Sequence, residues 1–279
     1  MLRAGFALGV TPAPARARVA RDAFTTSDRV RLSYWRAGPR AGATPVVFVP
    51  GWCVPASIWQ PNLIAAAADR PALALDPRGQ GESEVPSQGY TADRRARDLH
   101  ELLAGLRQPA VVVAWSLAGL EALQMTHRFG TRRLQALVLV DSSVGEGPAG
   151  DGSGTERFRQ QLRQDREAAL TGFARAIFRS PRSEADTAAL VASMQRMPLQ
   201  ASLDLLDYGL PREHWRRLAR GFDRPLLYVV TPQYREQARL LAAARPATRT
   251  QVFESAGHAL FADEPQRFDR VLHDFLGSA

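Results

Sequence analysis

Short apolar runs alternate with helix-length segments along most of this 279-residue chain. Five runs rich in Val, Leu and Ala have the length of single strands: residues 46–49, 72–75, 110–114, 137–140 and 226–230. Apolar runs without polar alternation are typical of strands buried on both faces of a parallel sheet. Helical patterns occupy the following segments between or after them: 58–68, 92–106, 116–129, 233–244 and 265–276. The alternation predicts an α/β fold, with a mostly parallel sheet and helices on both faces.

Two regions interrupt this alternation. Residues 24–37 have a strand-like composition and no helical pattern, which favours an antiparallel pair of strands at one edge of the sheet. After a Gly-rich stretch at 145–154, only helical spacing is found until the strand-like run at 226. We therefore expect a core made of residues 23–144 and 222–279. Residues 145–221 are expected to form an inserted helical cap over the carboxyl edge of the sheet.

The first 22 residues precede this pattern. They contain a short apolar stretch at 4–10, followed by Pro, Ala and Arg. A secretory signal needs an apolar region of about 7–15 residues, which this stretch barely reaches. We interpret residues 1–22 as a flexible leader, with a degenerate export signal as the alternative. A cytoplasmic location is thus favoured, and export to the periplasm stays open.

The basic character of the chain comes from Arg alone. The formal net charge is +8, and all 36 basic residues are Arg. They are interspersed with acids, which is typical of solvated helix faces, whereas a nucleic-acid surface needs a basic stripe or a known motif. No apolar run reaches the roughly 18 residues that span a bilayer. The single cysteine, Cys53, excludes an intrachain disulfide and fits a reducing compartment.

A serine stands where one strand pattern ends and a helical pattern begins, at Ser116. The residues two before and two after it, Ala114 and Ala118, are small. A nucleophilic serine needs a tight strand-to-helix turn to project its hydroxyl, and bulky flanking side chains would clash across that turn. The helix N-terminus also favours negative charge that develops nearby. Ser116 is the candidate nucleophile; the alternative is a buried serine in an ordinary connection.

A histidine follows the last strand-like segment, at His258 in the sequence SAGHALF. Free imidazole ionises near neutral pH, so it can accept a proton from a serine and return it. The other histidines lie within helical patterns and are interpreted as surface or packing residues. His258 is therefore the candidate base.

Acyl transfer also needs two backbone N–H donors for the oxyanion. The first candidate is the amide of Leu117, which directly follows Ser116. The second is the amide of Trp52, in the turn that follows the strand at 46–49, where Gly51 permits the backbone to bend. The indole of Trp52 is expected to line the acyl pocket or to pack in the core.

Five motifs occur in an order that resembles the α/β-hydrolase superfamily: VVFVPGW, LALDPRGQGES, AWSLAGL, LVLVDSS and SAGHALFADEP. The chain is similar in plan to the capped carboxylesterases of that superfamily. In these proteins the base comes last in chain order, where His258 lies, and the turn at 76–83 is structural. The resemblance implies a serine hydrolase that needs no metal or organic cofactor.

The chain departs from the family pattern in three features. Pro50-Gly51 stands where the family has His-Gly, so a histidine that braces the oxyanion loop is absent. The glycines flanking the nucleophile are Ala114 and Ala118. The usual acid after the strand at 226–230 is missing, since the chain there reads TPQYRE.

A base without an acid partner would be poorly oriented. Some family members carry the acid one strand past the nucleophile, and Asp141 occupies that position here. The sequence leaves three possibilities: Asp141, which we take first, Glu236, or no acid at all.

These residues predict cleavage of a small-molecule carboxylic ester through an acyl-enzyme. Hydrolysis of carbon–carbon bonds, lactone opening and perhydrolysis are alternatives on the same groups, and a non-catalytic ligand-binding homologue is another. Five apolar cap residues are candidates either for pocket lining or for packing: Phe173, Phe178, Met194, Met197 and Leu205. Substrate identity and oligomeric state are left open.

Overall fold

An eight-stranded sheet forms the centre of the computed structural model, which describes residues 18–148 and 152–278. The strands follow the order β1-β2-β4-β3-β5-β6-β7-β8. Only β2 runs antiparallel to its neighbours, and all other pairs are parallel. The bounds are β1 Ala20–Thr25, β2 Arg31–Ala37, β3 Val46–Val49, β4 Ala72–Leu75, β5 Ala110–Trp115, β6 Leu134–Val140, β7 Leu226–Val230 and β8 Thr248–Val252.

The central strands are buried on both faces, as their apolar runs predict. In β5, Val111, Val113 and Trp115 face one core cluster. Val112 and Ala114 face the other. One face is covered mainly by α2, Ala92–Ala104, α3, Leu117–Phe129, and α9, Arg235–Ala244. The opposite face is covered by α1, Gln60–Ala66, and α11, Pro265–Leu276.

Between β6 and β7 the described residues form helices and no strand. The bounds of these helices are α4 Ser153–Gln164, α5 Arg166–Ala176, α6 Glu184–Gln195, α7 Leu199–Asp204 and α8 Arg212–Arg220. A four-residue helix, α10 Leu260–Asp263, follows β8 and leads into α11. No helix in the described part of the chain is long and apolar enough to cross a membrane.

The predicted mostly parallel sheet with helices on both faces is confirmed, with small shifts of the strand ends. The antiparallel pair expected in 24–37 is β1 and β2 at the sheet edge. Strand β6 begins at Leu134, three residues before the predicted run, because that run was recognised only where Leu and Val follow one another. Strand β1 begins at Ala20, inside the segment predicted as a leader, and residues 1–17 of that prediction lie outside the described residues.

Candidate active site

Ser116 lies at a sharp turn between β5 and α3. Its backbone adopts φ 56° and ψ −121°, a left-handed conformation that is strained for a residue with a side chain. The backbone N–H of Ser116 donates to the carbonyl of Val140 at 2.8 Å, which fixes the turn against the end of β6. Ser116 remains partly exposed while Ala114 and Ala118 are fully buried. The turn therefore has the geometry expected of a nucleophile elbow.

Gly119 adds a requirement that the sequence interpretation missed. A Cβ atom at this position would lie 2.4 Å from Oγ and 2.7 Å from Cβ of Ser142. Any side chain at 119 would therefore push α3 away from the end of β6. The small residues at 114, 118 and 119 together allow α3 to lie close to the sheet.

His258 lies in the loop between β8 and α10, with its ring directed at Ser116. Its Nε2 atom is 2.9 Å from Oγ of Ser116. The indole Nε1 of Trp115 donates to the carbonyl of His258 at 2.9 Å, and the two rings lie 5.1 Å apart. The residue that precedes the candidate nucleophile thus holds the loop of the candidate base.

Asp263 anchors the same loop from the other side. Its carboxylate accepts the backbone N–H of Gly257 at 2.8 Å, and also those of Arg179 and Ser180 at 2.7 and 3.1 Å. The N–H of Ala259 donates to the carbonyl of Ile177 at 2.7 Å. The His258 loop is therefore tied to the segment that follows α5.

Asp141 directly follows β6 and is 1% exposed. Its Oδ2 atom is 2.7 Å from Nδ1 of His258. Its Oδ1 atom accepts the backbone N–H of Thr231 at 2.7 Å and the hydroxyl of Thr231 at 2.8 Å. Because β6 lies between β5 and β7, the residue after β6 reaches both neighbours. The structure thus joins Ser116, His258 and Asp141 by hydrogen bonds.

Glu236 does not come near His258. It lies in the first turn of α9, with an exposed side chain that is paired with Arg239 at 2.7 Å. Of the two acids considered from the sequence, only Asp141 contacts the histidine.

The loop after β3 lies against the serine turn. A Cβ atom added at Gly51 would be 3.0 Å from Cβ of Ser116, so only glycine allows this approach without displacement. The backbone N–H of Trp52 makes no hydrogen bond to another described residue. As the first residue of α3, Leu117 has an N–H without a partner inside its helix. Leu117 directly follows Ser116, Trp52 directly follows Gly51, and neither backbone amide is engaged by another described residue.

The indole of Trp52 is buried rather than open to a pocket. It is 4% exposed, and its Nε1 donates to the carbonyl of Ser202 in α7 at 2.7 Å. Phe158 and Phe173 pack edge-on against it, with centroids 5.4 and 5.2 Å away. Of its two expected roles, the structure favours packing between the oxyanion loop and the helical segment.

The five candidate lining residues also include both packing residues and a residue that lines a cleft. Met194, Met197 and Leu205 are at most 1% exposed and belong to the core, so the lining interpretation is wrong for them. Phe178 lines a cleft of about 710 Å³ between α6, the segment 55–61 and the turn at 76–82. Neither Ser116 nor His258 borders this cleft. Phe173 is partly buried against Trp52.

Burial alters the ionisation of Asp76, which directly follows β4, and of Cys53, in the turn after β3. Burial raises the pKa of Asp76 to about 6, although the backbone N–H groups of Ala56 and Glu82 oppose the shift. Burial also raises the pKa of the Cys53 thiol, which disfavours its reactive thiolate form. Within the described ranges, no three His, Cys, Asp or Glu side chains come together as metal ligands.

Comparison with known proteins agrees with this fold. A sequence model described as "Alpha/beta hydrolase family" matches residues 46–271. A pimeloyl-[acyl-carrier protein] methyl ester esterase from Citrobacter koseri is 28% identical over 83% of this chain and 93% of its own length. A non-heme chloroperoxidase from Kitasatospora aureofaciens is 37% identical, but over only 42% of either chain.

The same fold is found in a solved esterase from Exiguobacterium antarcticum. That structure has a TM-score of 0.80 and 20% identity, and the match covers 91% of this chain and 98% of the esterase. The family match extends over most of the sheet and reaches from β3 into α11. The chain therefore belongs to the alpha/beta hydrolase family.

Proposed function

We propose that the chain is a serine hydrolase that cleaves carboxylic esters through an acyl-enzyme. The observation that carries this proposal is the pair of hydrogen bonds made by His258, at 2.9 Å to Ser116 and 2.7 Å to Asp141. A serine, a histidine and a buried carboxylate in this arrangement are recognised by geometry rather than by sequence position. The methyl ester esterase among the relatives supports the ester as substrate class.

The reaction begins with Ser116. Its Oγ attacks the ester carbonyl while Nε2 of His258 takes the hydroxyl proton. Asp141 holds the Nδ1–H tautomer and balances the positive charge that forms on the ring. His258 then returns the proton to the leaving alcohol, and the acyl group remains on Ser116. Water activated by the same histidine releases the acid.

The backbone amides of Trp52 and Leu117 stabilise the oxyanion. Leu117 directly follows Ser116, and Trp52 follows Gly51, whose added Cβ would lie 3.0 Å from Cβ of Ser116; both amides are free of competing acceptors in the described residues. Donors fixed before the reaction stabilise the developing negative charge without reorganisation. The loss of one such donor costs about 100-fold to 1,000-fold in kcat.

Residues 145–221 act as a cap over a core made of 23–144 and 222–279. This division is supported by the bond from Trp52 to Ser202 and by the contacts of Phe158 and Phe173 with that indole. These helices limit the space beside the serine. Their packing therefore governs the size of the acyl or alcohol group that fits.

A fluorophosphonate probe tests the nucleophile directly. We expect the intact protein to be labelled at Ser116, and Ser116→Ala to lose both labelling and ester hydrolysis. Ser143→Ala is the matched control, because Ser143 is a nearby partly buried serine that contacts Gln237 rather than His258. Absence of labelling in the folded wild-type protein would instead support a non-catalytic ligand-binding role. Equal labelling of Ser116→Ala would remove Ser116 from the mechanism.

A second activity is suggested by the chloroperoxidase relative. Hydrogen peroxide in place of water at the acyl-enzyme would release a peracid, since the same serine, base and oxyanion donors serve both nucleophiles. Peracid formation from an ester and hydrogen peroxide, compared between wild type and Ser116→Ala, tests this. A series of p-nitrophenyl esters of increasing acyl length defines the preferred substrate.

A further inference from the structure

Gln80 braces the loop that carries Trp52. It lies in the turn after β4 and is fully buried. Its side-chain Nε2 donates to the carbonyl of Gly51 at 3.0 Å and to the carbonyl of Val54 at 2.6 Å. These two carbonyls flank Trp52 on either side. One amide group therefore fixes both ends of the turn whose N–H is a proposed oxyanion donor.

The orientation of the Gln80 amide is determined by its neighbours. Its Oε1 accepts from Nη1 of Arg95 at 2.9 Å. Arginine offers only donors and backbone carbonyls only accept, so the oxygen must face Arg95 and the nitrogen must face the loop. An ionised glutamate or a methionine of similar length could not donate to either carbonyl. The position therefore requires the two N–H groups of an amide.

Further contacts connect Gln80 with α3, the helix whose first residue supplies the second proposed oxyanion donor. Arg95 is buried and pairs with Glu121 of α3 at 3.0 Å. The hydroxyl of Tyr208, which follows α7, donates to the same glutamate at 2.6 Å. Helix α3 begins at Leu117, so Gln80, Arg95 and Glu121 connect the Trp52 loop with the helix that supplies the Leu117 amide.

We propose that Gln80 is a positioning residue that sets the Trp52 amide relative to Ser116, through a buried link to Arg95 and Glu121. The histidine that the family pattern has before Gly51 is Pro50 here, so bracing by that histidine is absent. This inference rests on the proposed ester hydrolysis. Gln80 does not contact substrate, and it acts through the geometry of the loop.

The test compares Gln80→Met with Ser83→Ala. Methionine keeps the length of the side chain but removes both donors to the loop. Ser83 is buried in the same turn, where its hydroxyl bonds to the backbone of Asp76 and Ser33 rather than to the Trp52 loop. For Gln80→Met we expect kcat to fall about tenfold to 100-fold. A displaced Trp52 amide still stabilises the oxyanion in part, so the loss should be smaller than when the donor is removed. KM should change by less than about threefold, since the brace acts on the developing oxyanion rather than on ground-state binding.

A trifluoromethyl ketone reports the oxyanion site separately from turnover, because it forms a tetrahedral adduct on the serine. In Gln80→Met its inhibition constant should rise by the same factor by which kcat/KM falls. In Ser83→Ala it should stay near the wild-type value. If Gln80→Met does not fold, Gln80→Glu serves as the second variant, since it retains the acceptor for Arg95 and lacks the donors. Folding is checked by circular dichroism and thermal melting.

Two results would overturn the inference. One is a folded Gln80 variant whose kcat and inhibition constant stay within twofold of wild type. The other is a Ser83→Ala loss as large as that of the Gln80 variant, which would assign the effect to the turn as a whole. Labelling of wild-type Ser116 by fluorophosphonate separates this failure from failure of the proposed function, because it reports the nucleophilic serine in a protein that keeps Gln80.

Discussion

Thr231 donates two hydrogen bonds to one oxygen of Asp141, from its backbone N–H at 2.7 Å and from its hydroxyl at 2.8 Å. Thr231 directly follows β7, at the start of the segment in which the family resemblance places the acid of the triad. Here that segment provides donors, and the carboxylate comes from the end of β6. With Oδ1 engaged by Thr231, Oδ2 is directed at His258.

Asp141→Asn should lower kcat by about 10,000-fold, because an amide no longer selects the correct histidine tautomer or balances its charge. The measurement is steady-state hydrolysis of a p-nitrophenyl ester, with KM determined in parallel. Glu236→Gln is the control, since Glu236 lies on the exposed face of α9 in an ion pair with Arg239. Near-wild-type turnover in Asp141→Asn would remove this residue from the mechanism.

Thr231→Val should lower kcat about tenfold without a comparable change in KM. The variant keeps the backbone N–H and the side-chain shape but removes the hydroxyl donor. If weaker orientation of the carboxylate raises the activation free energy by about 1.4 kcal/mol, the rate falls tenfold. Thr231→Ser retains the hydroxyl and should restore most of the activity. An equally slow serine variant would show that side-chain packing, rather than the hydrogen bond, limits turnover.

Gly119→Ala should destabilise the fold by about 1–3 kcal/mol, since its Cβ would lie 2.4 Å from Oγ of Ser142. Denaturant unfolding measures this loss. The Oγ of Ser142 is buried without a hydrogen-bond partner among the described residues, so its removal costs little polar interaction. The double variant Gly119→Ala with Ser142→Gly should therefore recover part of the lost stability. A double variant that is no more stable than the single one would contradict the proposed contact.

Asp76 should make stability decrease with pH between about 4 and 6. Burial raises its pKa from 3.8 to about 6, so within this window the folded protein keeps a proton that the unfolded chain has lost. The free energy of unfolding then falls as pH rises and is lowered by about 3 kcal/mol above pH 6 relative to below pH 4.

The contribution of Asp76 is isolated by comparison with Asp76→Asn, which has no ionisation at this position. The difference in unfolding free energy between the two proteins should change by about this amount across the window, in favour of the asparagine variant at higher pH. Parallel pH dependences of the two proteins would show that Asp76 has an ordinary pKa.

The sheet and the position of Ser116 were predictable because both follow from local pattern. Buried parallel strands require continuous apolar runs, and the serine turn requires small neighbours. The candidate acid was harder to assign, since the order of strands in space decides which chain segments meet. Asp141 reaches His258 because β6 lies between β5 and β7, which no local spacing reveals.

The contributions of Thr231 and Gln80 were not predicted for a related reason. Thr231 begins the segment in which the family pattern has its acid, and the sequence of that segment shows only that the usual aspartate is missing. Gln80 was placed in a turn interpreted as structural. Its hydrogen bonds reach Gly51, 29 positions away in the sequence, and Val54, 26 positions away, so only the folded chain brings these residues together. Similarly, helical spacing could not distinguish Met194 and Met197 as packing residues from pocket residues.

The Asp263 carboxylate has a consequence for attempts to exchange the helices between β6 and β7 with those of a relative. It holds the backbone of Arg179 and Ser180 together with that of Gly257, next to the base. A recombination junction placed after Ser180 keeps this shared attachment in the recipient. A junction placed before Ile177 replaces the backbone of residues 177–180, which contacts the histidine loop. Such a chimera would show impaired proton transfer by His258 together with any change in selectivity.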